Sequence, residues 1–310
     1  MDRSRIHLDV MAYTNSVDAF AKAACAEEAV ERVAQMESLG LTPNVVTYNS
    51  VLDGWARVGR PAKAVEWLNR LQATGLQPNA ISYNSVINAC ARAGQADEAR
   101  VWFRKMTNSQ VFPNVTSFAS LVASCARARD AIGAAAWMAE MEGAGLTPNE
   151  VAYNSMINAC ARAGQSAEAV SWLRKMQASE VKPSVVSYTS VVGAHARAAQ
   201  ADQALECFQS MRDAEVLPNT ITFSNVVDAC SREGARGQDM VEQLFRRTAT
   251  SKSVTGRSLL PVLDKVLAAK LERLLGTAKV EGLQAELGLR TQSRGTPNAK
   301  TAAVMGRRLL

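Results

Sequence analysis

The sequence predicts an all-α fold, an α-solenoid superhelix of stacked helix-turn-helix repeats, on three observations. Six of the nine prolines, Pro43, Pro78, Pro113, Pro148, Pro183 and Pro218, recur every 35 residues. All five tyrosines, Tyr13, Tyr48, Tyr83, Tyr153 and Tyr188, share one phase of that period, with Phe118 and Phe223 at the two positions left over. Trp67, Trp102, Trp137 and Trp172 share another. Self-similarity at a fixed period of this length marks hairpins that cannot bury their apolar faces alone and stack to do so.

Counting each unit to one residue past its proline gives 10–44, 45–79, 80–114, 115–149, 150–184 and 185–219, with a seventh opening at Thr220. Unit 45–79 divides at Gly59 and closes at Gly75 and Pro78. Its first helix is expected from about Thr47 to Val58. A hydroxyl stands there to cap it, and Tyr48, Val51, Leu52 and Trp55 follow at helical spacing. The second helix is expected from about Pro61, a residue suited to a first turn, to Ala73, with a face of Ala64, Trp67, Leu68 and Leu71.

Two registers of the second helix read as core. Ala29, Ala64, Ala99, Ala134, Ala169 and Ala204 let helices approach closely, and Met36, Leu71, Met106, Met141, Met176 and Met211 fill space further along. On the first helix, Cys90, Cys125, Cys160 and Cys230 share a slot with Phe20, Trp55 and His195. Exchange with Phe and Trp marks that slot as buried and apolar rather than metal-binding.

Composition narrows the function. The chain has 310 residues, 47% hydrophobic and 21% charged, which suits a folded, soluble protein. No apolar run approaches the roughly 20 residues of a bilayer helix, and Met1 to Val10 lack the apolar block of a secretory signal, so no membrane partner is expected. Six cysteines without a Cys-x-x-Cys pair fit a reducing compartment, and two histidines, His7 and His195, make a zinc site or a histidine relay a poor reading.

The formal charge of +6 is uneven: residues 231–310 hold 15 Lys and Arg against 7 Asp and Glu, the rest 20 against 22. Residues 10–234 are expected to form six full repeats and one partial repeat, residues 235–288 a degenerate helical cap, and residues 289–310 a flexible basic tail. Within the cap, Gln238 to Thr248, Ser258 to Leu275 and Ala278 to Leu287 are the helical stretches. No glycine-rich phosphate loop, nucleophile elbow or zinc spacing occurs. The acidic residues after Glu242, namely Asp264, Glu272, Glu281 and Glu286, make no two-metal cluster, so neither an enzyme nor a cofactor is expected.

One charge pattern is strict. Lys22, Arg57, Arg92, Arg127, Arg162, Arg197 and Arg232 occupy a single register, seven units of seven. Stacking turns that register into a basic stripe near the face of the fifth residue of each unit. If all seven cations met phosphates, log K against log salt would slope by roughly −5, at about 0.7 per contact on a single strand. The other reading is a solvated charged face.

The 35-residue hairpin, its TYN-type opening, the NACARAGQADEA stretch at residues 88 to 99 and the GLxPN close resemble the pentatricopeptide repeat family, in its uniform 35-residue form. The resemblance runs from residue 10 to about 234 and implies single-stranded RNA binding, one base per repeat. It implies that the fifth and last residues of each unit address a base edge: Thr14 with Asn44, Asn49 with Asn79, Asn84 with Asn114, Ala119 with Asn149, Asn154 with Ser184, and Thr189 with Asn219. Ser224 opens the incomplete seventh. The second residue would wedge beside the base, at Met11, Val46, Ile81, Val151, Val186 and Ile221. Unit 115–149 departs twice, with Thr116 and Ala119, so its base should be poorly specified.

By the family's code the target is 5′-AYYNCA-3′, with a purine a candidate to follow. The competing account of short polar residues near a helix start is capping, with Thr47 already a candidate for that role. Proteins recruited to the RNA are further candidate partners. The resemblance implies a mitochondrion or plastid, although MDRSRIHLDV is short for a transit peptide. Two alternatives stay open: a solenoid that binds proteins, and the recognition part of a longer RNA-processing enzyme.

Overall fold

A computed structural model describes residues 9–250 and 265–287. His7 and the tail expected at 289–310 lie outside the described residues, as does the part of the 258–275 stretch before Lys265. The chain divides into two compact units, residues 1–182 and 183–310. The described residues of both are helical, without a strand.

The first unit holds five hairpins: α1 (Val10–Lys22) with α2 (Ala26–Ser38), α3 (Val45–Arg57) with α4 (Pro61–Ala73), α5 (Ala80–Ala93) with α6 (Ala96–Asn108), α7 (Val115–Ala128) with α8 (Ala131–Gly143), and α9 (Glu150–Ala163) with α10 (Ser166–Ala178). First helices pack in succession, α1 on α3, α3 on α5, α5 on α7 and α7 on α9. Each of α2, α4, α6 and α8 also touches the first helix that follows. The result is an all-α repeat solenoid. The second unit continues the plan with α11 (Val185–Arg197) and α12 (Ala201–Asp213), then α13 (Thr220–Cys230) and α14 (Gly234–Thr250). It ends with α15 (Lys265–Leu275) and α16 (Thr277–Leu287), α15 lying on α13.

The core follows the registers read from the sequence. The six alanines are fully buried, as are Met36, Leu71, Met106, Met141, Met176 and Met211. Tyr48 meets Trp67 with ring centroids 5.8 Å apart, and Phe118 meets Phe103 edge-on at 5.1 Å. Buried tyrosines keep a hydrogen bond for the hydroxyl: that of Tyr83 donates to Ser109 Oγ at 2.9 Å. The slot shared by Cys90, Cys125, Cys160, Cys230, Trp55 and His195 is buried, and His195 Nδ1 lies 2.9 Å from Gln200 Oε1.

The helix starts require one correction. The cap of α3 is Asn44 and not Thr47: its backbone is extended, and its Oδ1 accepts the Thr47 N–H at 3.0 Å. Thr47 lies one turn inside and accepts the Asn44 N–H in return. Asn79 with Ser82, Asn114 with Ser117 and Asn219 with Thr222 repeat this reciprocal box. The proline immediately before each of these caps favours extended chain ahead of it, and α3 begins at Val45, two residues sooner than its apolar pattern.

Candidate nucleic-acid interface

The last residue of each unit is therefore the N-cap of the next first helix. Asn44, Asn79, Asn114, Asn149 and Asn219 are exposed and Ser184 is half-buried. The fifth residues are deeper: Thr14, Asn49, Asn84 and Ser224 are only 7–8% exposed, Ala119 is buried, and Asn154 and Thr189 are half-buried.

In two repeats these positions are tied across the stack, whereas Asn154 Nδ2 donates to Glu150 Oε1 at 3.3 Å. Asn49 Nδ2 donates to Asn79 Oδ1 at 3.2 Å, and Asn49 Oδ1 accepts from Ser82 Oγ at 2.7 Å. Asn84 repeats the pattern with Asn114 at 3.1 Å and Ser117 at 2.6 Å. The threonines use a shorter version, hydroxyl to hydroxyl, Thr14 to Thr47 at 2.7 Å and Thr189 to Thr222 at 2.8 Å.

This ladder fixes which atoms remain to be used. Asn79 Oδ1 accepts from the Ile81 and Ser82 N–H groups as well as from Asn49. A carboxamide whose oxygen is so engaged turns its Nδ2 to the other side, where two N–H donors are left to an exposed residue. Thr14 and Thr189 bring a hydroxyl to the fifth position, bonded to Thr47 and Thr222, while Asn44 and Asn219 remain the cap amides. The position-three hydroxyls, Thr47, Ser82, Ser117 and Thr222, belong to this network and were missed as such by sequence reasoning. A signal existed: each lies 33 residues after a polar fifth residue, and Ala152 lies 33 after Ala119.

Three residues before each fifth residue, in all but one repeat, stands an exposed apolar side chain. Met11, Val46, Ile81, Val151, Val186 and Ile221 are 58–70% exposed, an unusual state for one register of large apolar side chains. Val46, Asp53 and Arg57 are seven and four residues apart and so line one side of α3. Lys22, Arg57, Arg92, Arg127, Arg162, Arg197 and Arg232 are all exposed.

The basic register also has structural work. Six of its members lie in the last turn of a first helix, where a cation opposes the partial negative charge of the free carbonyls, worth about 0.3–1 kcal/mol each. Arg92 Nη1 donates to the Arg57 carbonyl at 3.4 Å, and Arg232 does the same to Arg197. Lys22 and Arg57 are paired within their helices, to Asp18 and Asp53, both at 2.6 Å. Net charge is thus reduced at these two members of the register, a feature that the count of basic residues alone does not reveal.

Burial, with smaller pushes from Glu98 and Glu168, raises the Cys90 and Cys160 thiols to about 11. Both stay protonated at neutral pH, which suits packing and not nucleophilic chemistry. Among the described residues no group of three His, Cys, Asp or Glu could hold a metal ion, and no helix is long and apolar enough to cross a membrane.

The signature of the PPR repeat family matches five times, at residues 8–57, 43–92, 78–127, 148–197 and 183–232. The chain belongs to the pentatricopeptide repeat family. The gap between the third and fourth matches, 128–147, falls in unit 115–149, which lacks the polar fifth residue. Among solved structures, the chain is similar to the pentatricopeptide repeat protein PPR10 from maize, 27% identical with a TM-score of 0.64, over 90% of this chain and 39% of that one. It also resembles PPR10 in complex with an 18-nt psaJ RNA element, 19% identical with a TM-score of 0.53, over 92% and 46%. The chain therefore spans less than half the length of these pentatricopeptide repeat relatives. No curated protein gives a significant match.

Proposed function

We propose that this pentatricopeptide repeat chain binds single-stranded RNA, with one nucleotide set against each repeat, and acts by occupancy rather than by catalysis. The observation that carries the reading is the recurrence, in units 10–44, 45–79, 80–114 and 185–219, of a polar ladder flanked by an exposed apolar residue. An unpaired base needs both: edge groups to hydrogen-bond, and a small apolar surface against its ring. The PPR10 complex with RNA adds support from a relative.

The ladder suggests the division of labour. The buried fifth residue orients the exposed N-cap amide, and the amide meets the base. Where both are Asn, the unused N–H donors suit the carbonyl acceptors of a pyrimidine edge. Where the fifth residue is Thr, a group that also accepts suits the adenine amino group. Together with the family's code, which sets Asn154 and Ser184 against cytosine, this reading gives 5′-AYYNCA-3′, with the fourth base unread at Ala119. An organellar transcript is the target class that the family suggests.

Lys22 and Arg57 already hold acidic partners, so the salt slope should fall short of the roughly −5 expected from seven free cations. Binding of labelled 5′-AYYNCA-3′ oligonucleotides, titrated at several salt concentrations, measures this. Replacing Asn154→Thr should move the preference at the fifth base from cytosine toward a purine and leave the other positions alone. An unchanged preference at that base would refute the assignment of the reading pairs.

A further inference from the structure

The seventh repeat breaks the pattern at its reading position. In the preceding repeat of the same unit, Thr189 meets the hydroxyl of Thr222, 33 residues on. Ser224 stands where Thr189 stands, yet its hydroxyl accepts from Lys270 Nζ, at 2.6 Å, out of α15. The same ammonium is ion-paired to Asp228, one turn further along α13. The 35-residue grid, continued, places Val254 where the other repeats have Asn or Ser, a side chain without a hydrogen-bonding group. α15 packs on α13 as a following first helix would, but brings a lysine where Thr47, Ser82, Ser117 and Thr222 bring a hydroxyl.

We propose that Lys270 closes the row of reading positions, so that the seventh repeat selects no base and the RNA track ends at the sixth nucleotide. The inference rests on the RNA-reading function above and assigns its boundary. An ammonium group only donates, so the Ser224 oxygen must accept, and the lone hydroxyl proton that remains has no companion amide to set its direction. Asp228 holds the lysine in place. It occupies the register of Asp18 and Asp53, but its partner is Lys270 rather than the cation four residues on. The pair fills the site with a neutral ensemble in which Ser224 and Asp228 take two of the three ammonium donors, so no unpaired charge is left there for a phosphate and no oriented amide for a base edge. Ser224, which the sequence marks as a reader, is on this account occupied by the protein itself.

The test uses the full chain and an RNA series: the hexamer 5′-AYYNCA-3′ and four heptamers that extend it by A, G, C or U at the 3′ end. The wild-type protein should bind all five within about twofold. Lys270→Ala should free Ser224 and favour heptamers ending in a purine by threefold or more. Lys270→Gln, which can still donate to Ser224, should keep the flat profile. Ser224→Ala, made with Lys270 in place, should leave the wild-type profile unchanged and covers the case in which Lys270→Ala is too unstable to assay. A wild-type preference among the four heptamers overturns the proposal, as does a flat profile for folded Lys270→Ala. Failure of the wild-type protein to bind even the hexamer strikes the RNA-reading function itself, and the two failures are thereby distinguished.

Discussion

In repeat 80–114, Asn84 Oδ1 accepts from Ser117 Oγ while Asn84 Nδ2 donates to the cap residue Asn114. In repeat 115–149 the equivalent positions are Ala119 and Ala152, and Asn149 caps α9 through the Ala152 N–H alone. Thr116 replaces the exposed aliphatic residue. The two hairpins nevertheless share the rest: a buried alanine, a buried methionine, a buried cysteine and an exposed arginine in matching registers. The comparison teaches that stacking and reading are written in different positions. Loss of the whole polar ladder leaves the hairpin fold intact, because alanine opposite alanine strands no buried donor or acceptor.

The largest expected effect tests the shared half of that comparison. Met106→Ala and Met141→Ala remove fully buried side chains from the same register of the two repeats, and each should cost about 2–5 kcal/mol. Urea unfolding should show similar losses for both. A cost confined to one of them would mean that the cores are not equivalent.

Next comes the half that differs. Asn84→Ala removes the cross-stack partner of the Ser117 hydroxyl and the Asn114 amide, which keep their capping bonds to each other, and should cost about 0.5–1.5 kcal/mol of stability, read as a lower urea midpoint. The structural counterpart in the other repeat already exists in nature as the Ala119 and Ala152 pair. Adding Ser117→Ala to Asn84→Ala should therefore recover part of the loss, while leaving the third base unspecified.

The smallest effect concerns the turn between helices. Gly94 takes φ +76° at the end of α5, and Arg129 takes φ +59° at the end of α7. A side chain in that left-handed conformation costs about 1 kcal/mol, so Arg129→Gly should stabilise the second hairpin by up to that amount, less the added freedom of its unfolded chain. A destabilisation would show that the arginine side chain makes a compensating contact.

Much of the fold was legible because a repeat states each rule several times. The prolines set the period, and the alanine and methionine registers found the core. The helix starts were misread at Thr47, since an apolar pattern locates the buried turns and says nothing of the two residues between cap and core. Of the fifth and last residues singled out from the sequence, the structure joins Asn49 to Asn79 and Asn84 to Asn114 by hydrogen bonds. Their coupling to Ser82, Ser117 and the corresponding threonines was not legible, because a hydroxyl one turn into a helix is ambiguous until the neighbouring hairpin is in place. The pairing of Lys270 with Ser224 spans 46 residues after the period dissolves, and no register could announce it.

Selection of RNA from a random pool tests the separation of stacking from reading most directly, with the wild-type protein beside an Ala119→Asn, Ala152→Ser variant that installs the missing ladder. The wild-type protein should enrich sharp preferences at the bases set against Asn49 and Asn84, and none at the base set against Ala119. The variant should gain a pyrimidine preference at that one position, worth about 1 kcal/mol or roughly fivefold. Equal sharpness at all positions in the wild-type protein, or a variant indistinguishable from it, would contradict the account.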